Sequence, residues 1–462
     1  MRVCVVGSGG REHALALALA RSANVVVTPG NPGMQGTSPW GHSIESSSSE
    51  PQELEADLYV IGPEAPLVSG LADLLRSKGR AVVGPSREGA LLEGSKVFMK
   101  QILDSAGIPT APWREINSLE EAKEAFSCFG PPYVVKTDGL AAGKGVLVTR
   151  SYEEALMDAE AKLSGRSFGK AGQRLVIEQA MEGEELSVMA ICDGKNAVCL
   201  PGAQDFKRAW DNDEGPNTGG MGSYAPVPQA MVERAGQEIL GPLLTELTRR
   251  GIDYRGVLYA GLMATTEGLK VVEINVRFGD PEAQVVLPSV SASLLQVMIE
   301  AASGSLSSKE IESDGLDRVC VVLAAEGYPE NPRNGVDLDL LWSSTRELGS
   351  GNVQVLHAGT KLQDGKLISA GGRVLNVVAS GDSLTAARAA AYQVAESICP
   401  PGLFFRRDIA LEAARAQEAS SREAWAGQAE IRSQESQPHQ GQDAPPQEAR
   451  AGRPADSQGV QL

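Results

Sequence analysis

The fold turns on the stretch VVKTDGLAAGKGVLV, residues 134–148. An apolar run rich in valine ends on Lys136, a loop of Gly and Ala carries Lys144 between two glycines, and a second apolar run follows. Short apolar runs bounded by glycine read as β-strands, so the two lysines sit on a strand–loop–strand unit. The G-x-x-x-x-G-K-[ST] phosphate loop needs a helix after its lysine, whereas Lys144 is followed by Gly145 and a strand. A small-residue loop between two strands can instead fold over a polyphosphate, its N–H groups and lysines meeting the charge. A plain hairpin with lysines in solvent has the same pattern.

Two flanking stretches add to this unit. In VVEINVRFGDPEAQ, residues 271–284, Glu273 and Asn275 lie two apart and so point to one face of a strand. A carboxylate and a carboxamide side by side are hard oxygen ligands of the kind magnesium takes alongside phosphate oxygens and water. Arg277 behind them can stabilise a developing phosphoryl charge. Upstream, VIEQAMEGEELS ends a strand at Glu178 and supplies Glu182, Glu184 and Glu185, either a solvated acidic cluster or a nucleoside contact.

The N-terminus, RVCVVG then SGGREHALALALARSA, is an apolar strand, a glycine turn and a helix. Strands at NVVVTPG, ADLYVIGPE and AVVGPS, with a helix over SGLADLLRSKG, argue a parallel α/β sheet over roughly residues 1–90, and SIESSSSEP reads as a polar loop. GSGGRE can present N–H groups to an anion, or can be a tight turn that binds nothing; Glu12 stands where a dinucleotide fingerprint has its last glycine. A helix is expected over GSKVFMKQILDSAG, ended by Gly107 and Pro109, and another over SYEEALMDAEAKLSG. Residues 204–227 lack periodicity and read as a long functional loop. Short strands and a closing helix fill 316–411, and beyond about 417 the Gln, Ser, Ala and Pro composition cannot support a core.

Composition narrows the function classes. With 462 residues two to four domains are expected, and the net charge of −17 disfavours nucleic acid or an acidic membrane surface as partner. Six scattered cysteines and four histidines argue against a zinc site or a Ser-His-Asp triad and fit a reducing compartment. No signal-peptide core or membrane-length apolar stretch occurs, so a cytoplasmic protein is expected.

The segments GSGGREHAL, GPEAPLVSG, LEGSKVFMK, KTDGLAAGKGV, GPNTGGMGSYAP, LYAGLM and NVRFGDPEAQ, in that order, resemble the signature stretches of the phosphoribosylamine–glycine ligase family, ATP-grasp enzymes of de novo purine synthesis. The resemblance runs from residue 1 to about 410. It implies an α/β fold with a Rossmann-like N-terminal domain (1–93), an ATP-grasp central region (94–304, with a lid subdomain at about 112–187), and a small mixed α/β C-terminal domain (305–411). A disordered tail (412–462) would follow. It further implies that ATP phosphorylates glycine and that the amine of 5-phosphoribosylamine attacks the acyl phosphate.

By the same resemblance, Lys96 and Lys136 would contact ATP phosphates, with Gly139, Ala142, Gly143, Lys144 and Gly145 closing over them. Glu178 and Ala180 would hold adenine, and Glu185 the ribose. Glu273 and Asn275 would bind Mg2+ or Mn2+. Asp205, Lys207, Arg208, Asn217, Thr218, Gly219, Gly220, Arg277, Gly279 and Asp280 would form the glycine and phosphoribosylamine site with Gly9, Gly10 and Glu64. Among these, Arg277, Lys136, Lys207 and Arg208 would be catalytic. A monomer acting on small molecules is expected.

Departures from the pattern are Phe206, where many relatives carry His, a shortened stretch around 41–50, and the tail. The rival readings are a dehydrogenase, which leaves Lys136, Lys144 and the Glu273–Asn275 pair unexplained, another ATP-grasp carboxylate–amine ligase, and a non-catalytic nucleotide sensor.

Overall fold

In the computed structural model, which describes residues 1–141, 145–339 and 352–422, the first apolar run forms the strand Arg2–Gly7 inside a six-stranded sheet. It pairs in parallel with Asn24–Pro29 on one side and Leu58–Ile61 on the other. Burial on both faces explains why it reads as a continuous apolar run and not as an alternation. Gly7 leads to the helix Gly10–Leu19 at φ +130°, and a Cβ there would lie 2.5 Å from Glu12 Cγ, so only glycine fits. Ser43–Ser46, expected as polar loop, is instead a parallel strand beside Asn24–Pro29. Ile44 is its one buried apolar side chain, and a single such residue among serines leaves no periodicity to read.

Two antiparallel sheets follow. The first runs Trp113–Ile116, Leu175–Gln179, Tyr133–Thr137, Val146–Thr149, and packs the helices Leu119–Phe129 and Tyr152–Leu163 around its own core of Phe126, Val135, Ala155 and Ile177. The second runs Ala197–Cys199, Glu184–Asp193, Arg255–Thr265, Gly268–Asn275. The small subdomain's sheet therefore ends at Gln179, and the boundary expected at 187 falls inside a strand of the second sheet. The helix Lys96–Ala106 enters between them; Ser95 accepts the Phe98 N–H at its start and Gly107 ends it at φ +66°.

The stretch 204–227 is not a loop. Arg208–Trp210 pairs with Glu214–Asn217 as a hairpin, while Gln204–Asp205 and Gly222–Ala225 join the C-terminal sheet. These pairings satisfy the backbone without an apolar alternation, and so the sequence did not betray them. The C-terminal sheet runs Gln204–Asp205, Gly222–Ala225, Asp317–Ala325, Arg373–Gly381, Val353–His357, with the helix Leu384–Ile398 packed on it and Leu403–Phe404 pairing at one side. Residues 411–422 are helical, so the stretch expected to lack structure from 412 begins as helix; Ala414 is buried and supplies the apolar contact. The remainder of that tail lies outside the described residues.

Arg406 fastens the hairpin to this sheet. Only 1% exposed, it donates to Asp408 at 2.7 Å, Asp213 at 2.8 Å and the Arg208 carbonyl at 3.0 Å, with its guanidinium 5.3 Å over the Phe206 ring. Phe206 thus serves packing. Arg406→Met is expected to lower stability by about 3 kcal/mol, since Asp408 and the Arg208 carbonyl lose their partner. The midpoint of denaturant unfolding measures this.

Candidate functional site

Strand Gly268–Asn275 and the turn after it gather most of the expected residues. At one end a buried ion triad forms. Glu178 forms ion pairs with Lys136 through Oε1 and with Lys100 through Oε2, the latter at 2.5 Å. Lys136 also donates to the Val272 carbonyl at 3.1 Å. Burial pushes the Glu178 carboxyl up, but the two lysines outweigh it and hold it below the usual range. Burial likewise pulls the Lys100 ammonium down against the pull of Glu178. Lys100, fully buried on the face of its helix, was missed by sequence reading, although a lysine among Val97, Met99, Ile102 and Leu103 on one helical face was a legible signal. Lys96 stands one turn before it and has no ion-pair partner among the described residues. Asp138 accepts from Val97 N at 2.7 Å and Ser95 Oγ at 2.9 Å, tying the helix start to the strand that bears Lys136.

Glu273 and Asn275 do share a face: Asn275 Nδ2 donates to Glu273 Oε1 at 3.3 Å. A bulge at Val272, opposite Gly261 and Leu262, sets that register. Burial raises the Glu273 carboxyl, but the field of Lys207, Lys96 and Lys136 prevails and lowers it to about 2. None of these lysines is within ion-pair distance, so an ionised carboxylate stands in a positive field. One carboxylate and one amide oxygen, with no sulfur or imidazole, suit a hard divalent cation. Among the described residues no cluster of three or more His, Cys, Asp or Glu could hold a metal, so phosphate oxygens and water would complete the shell.

Arg277 is fixed by Glu93 at 2.9 Å, Glu64 at 3.5 Å and Asn275 Oδ1 at 3.1 Å. Burial opposes its charge, yet Glu93 and Glu64 raise its pKa. Glu93, whose Oε2 also takes the Val276 N–H at 2.9 Å, is a second residue that sequence reading missed.

Beyond this point Lys207 bridges Asp205 at 2.9 Å and Glu185 at 3.0 Å. Burial raises the Asp205 carboxyl to about 7, and the ammonium of Lys207 offsets only part of that rise. Nearby, Tyr259 donates to Glu282, and Ser187 lies 2.9 Å from the Tyr259 hydroxyl. Asp280 pairs with Arg373 at 3.1 Å and accepts from Gln284 at 2.7 Å. Arg373 also donates to the carbonyls of Gly219 and Asp280, both at 2.7 Å, and joins the two loops. Preceded by two glycines at the start of an apolar strand, it left no sequence signal. Gly220, at φ +112° and with a would-be Cβ 2.5 Å from Pro281, lets those loops touch. Thr218 caps its turn by donating to the Lys207 carbonyl at 2.8 Å, with Asn217 paired to Arg208 in the hairpin.

Several expected residues are otherwise occupied. The Arg208 guanidinium donates to Gly215 O of its own hairpin at 2.7 Å. The Gly9 N–H is taken by Glu12 at 2.6 Å, which fills the turn ahead of Gly10. Gly279 abuts Glu282, where a Cβ would lie 2.4 Å from its carboxylate. Gly139 and Gly145 flank the glycine loop, and Ala180 follows the strand of Glu178. Ala142, Gly143 and Lys144 lie outside the described residues.

A cavity of about 600 Å³ lies elsewhere, between the helix Gly10–Leu19, residues 32–44 and the strand Val353–His357. Two histidines line it. Burial, then His357, lowers His13 to about 3, and burial lowers His357 to about 4, against 6.5 for free imidazole. Below 6.5 the unfolded chain therefore binds protons that the folded one refuses, and stability falls as pH drops from 6.5 towards 4. At pH 5 each histidine is expected to cost about 2 kcal/mol relative to neutral pH. His13→Gln should flatten the fall, as denaturation midpoints at pH 7 and 5 would show.

Residues 1–93, 94–283 and 318–412 match the N domain, the ATP-grasp (A) domain and the C domain of phosphoribosylglycinamide synthetase. Phosphoribosylamine–glycine ligase of Brucella melitensis is 42% identical over 91% of this chain and 100% of its own length. That of Mycobacterium leprae is 44% identical over 90% and 99%. The crystal structure of phosphoribosylamine–glycine ligase from Thermotoga maritima superposes with a TM-score of 0.76 at 36% identity, covering 88% of this chain and 100% of that one. With three consecutive domain models matched and near-complete coverage of its relatives, the chain belongs to the phosphoribosylglycinamide synthetase family.

Proposed function

We propose that this protein joins glycine to 5-phosphoribosylamine at the expense of ATP, releasing ADP and phosphate in de novo purine synthesis. The observation that carries the reading is the contact of Lys136 with the strand and turn that bear the Glu273–Asn275 pair and Arg277, in a chain of this family. A glycine carboxylate oxygen attacks the γ-phosphorus, the bond to the ADP oxygen breaks, and glycyl phosphate forms. The amine then attacks the acyl carbon, phosphate leaves, and the amine loses a proton. Lys96 and Lys136 neutralise the polyphosphate, and Arg277 meets charge developing on the transferred group. Glu273 and Asn275 would hold Mg2+ or Mn2+, which would supply further charge neutralisation at the phosphates. Glu178 with Ala180 and Glu185 face the nucleoside, while Asp205, Lys207, Asp280 and the turn Asn217–Gly220 orient the other two substrates.

Among the described residues no helix is long and apolar enough to cross a membrane, and all six cysteines are free thiols, as a reducing compartment would keep them. ADP release is expected only when glycine and phosphoribosylamine are both present. Glycine labelled with ¹⁸O in its carboxylate is expected to deliver one labelled oxygen to phosphate per turnover. Unlabelled phosphate would exclude the acyl phosphate, and ADP release with another amine or acid would point to a different ligase of this fold.

A further inference from the structure

Lys100 is a fully buried ammonium with no place in the scheme above. Its Nζ lies 2.5 Å from Glu178 Oε2 and 2.7 Å from Thr110 Oγ1. Thr110 gives its own proton to the Val271 carbonyl at 2.7 Å, so its oxygen can only accept from Lys100. Lys136 holds the other Glu178 oxygen and the next carbonyl along, Val272. One carboxylate thus serves two ammonium groups at the root of the strand that carries Glu273. The triad holds one positive charge in excess, and burying such a charge without an anion is costly.

We propose that Lys100 is a positioning residue for nucleotide binding: by engaging the second oxygen of Glu178, it keeps that carboxylate from neutralising Lys136, so the excess charge stays available to a polyphosphate. This rests on the assignment of Lys136 to the ATP phosphates. Without Lys100, Glu178 and Lys136 form a closed one-to-one pair that a phosphate must break.

The KM for ATP of Lys100→Met is expected to rise about tenfold or more, with the KM for glycine unchanged. Inorganic tripolyphosphate, which has the charge and lacks the adenine, is expected to weaken as a competitor of ATP by a similar factor. Lys100→Gln, which keeps the bond to Thr110 and drops the charge, should behave alike if the methionine variant does not fold. Adding Glu178→Gln to either variant releases Lys136 and is expected to restore part of the tripolyphosphate binding, which a mere packing defect would not allow. An unchanged ATP KM, a rise shared equally by glycine, or a double variant no better than the single one overturns the proposal. Wild-type protein that releases no ADP with both substrates present defeats the functional reading instead, and tripolyphosphate binding still decides the role of Lys100.

Discussion

Lys136→Ala is expected to lower kcat/KM by about 10²–10³-fold, the range seen when one preorganised charge or donor facing a transition state is removed. The fold should persist, because Glu178 keeps Lys100 as partner at 2.5 Å and no carboxylate is left buried alone. What disappears is a cation at the root of the glycine loop, held against the Val272 carbonyl at 3.1 Å. Steady-state rates with varied ATP, alongside a thermal melt, separate the two effects. A variant that melts like wild type and turns over at a near-wild-type rate would remove Lys136 from the phosphate site.

Glu273→Gln should be nearly as damaging, with turnover reduced about 100-fold and half-saturation by Mg2+ moved to higher concentration. The glutamine amide retains the size of the side chain and an oxygen for Asn275 Nδ2, so the local geometry has little reason to change. The charge is what is lost. With the carboxyl lowered to about 2, Glu273 is ionised at every pH where the protein is folded and active, so no titration of this group should appear in the pH–rate profile of the wild type near 4.5. A Mg2+ titration at fixed ATP reads the shift. Equal half-saturation and near-wild-type turnover would show that the cation is held elsewhere.

Local signals made much of this legible in advance. The run Arg2–Gly7, its glycine turn and the helix after it are written in consecutive residues, as are the Ser95 cap and the Gly107 stop of the helix between them. The strand period alone placed Glu273 beside Asn275, although a bulge at Val272 fixes which face they take. The hairpin Arg208–Asn217 was not legible because its side chains carry no alternation, nor was the strand Ser43–Ser46, which also takes its parallel partner, Asn24–Pro29, from earlier in the chain. The same holds for Arg373, whose role appears only when a C-terminal strand meets loops about 150 residues earlier, as in its bond to Gly219. Lys100 and Glu93 had readable cues, in a charge on an apolar helical face and an acid just before that helix; their partners, Glu178 and Arg277, did not.

The C-terminal sheet takes two of its strands, Gln204–Asp205 and Gly222–Ala225, from the middle of the chain. During synthesis those strands leave the ribosome well before Asp317–Ala325, the neighbour that Gly222–Ala225 pairs with. Until that neighbour emerges, the nascent chain carries an open sheet edge, and an open edge invites pairing with other molecules. A gene split near residue 310 would therefore yield two pieces that each need the other to close a sheet. Expressed apart they should aggregate, and expressed together they should assemble, so the cut that looks natural from domain matching is a poor place to divide this protein.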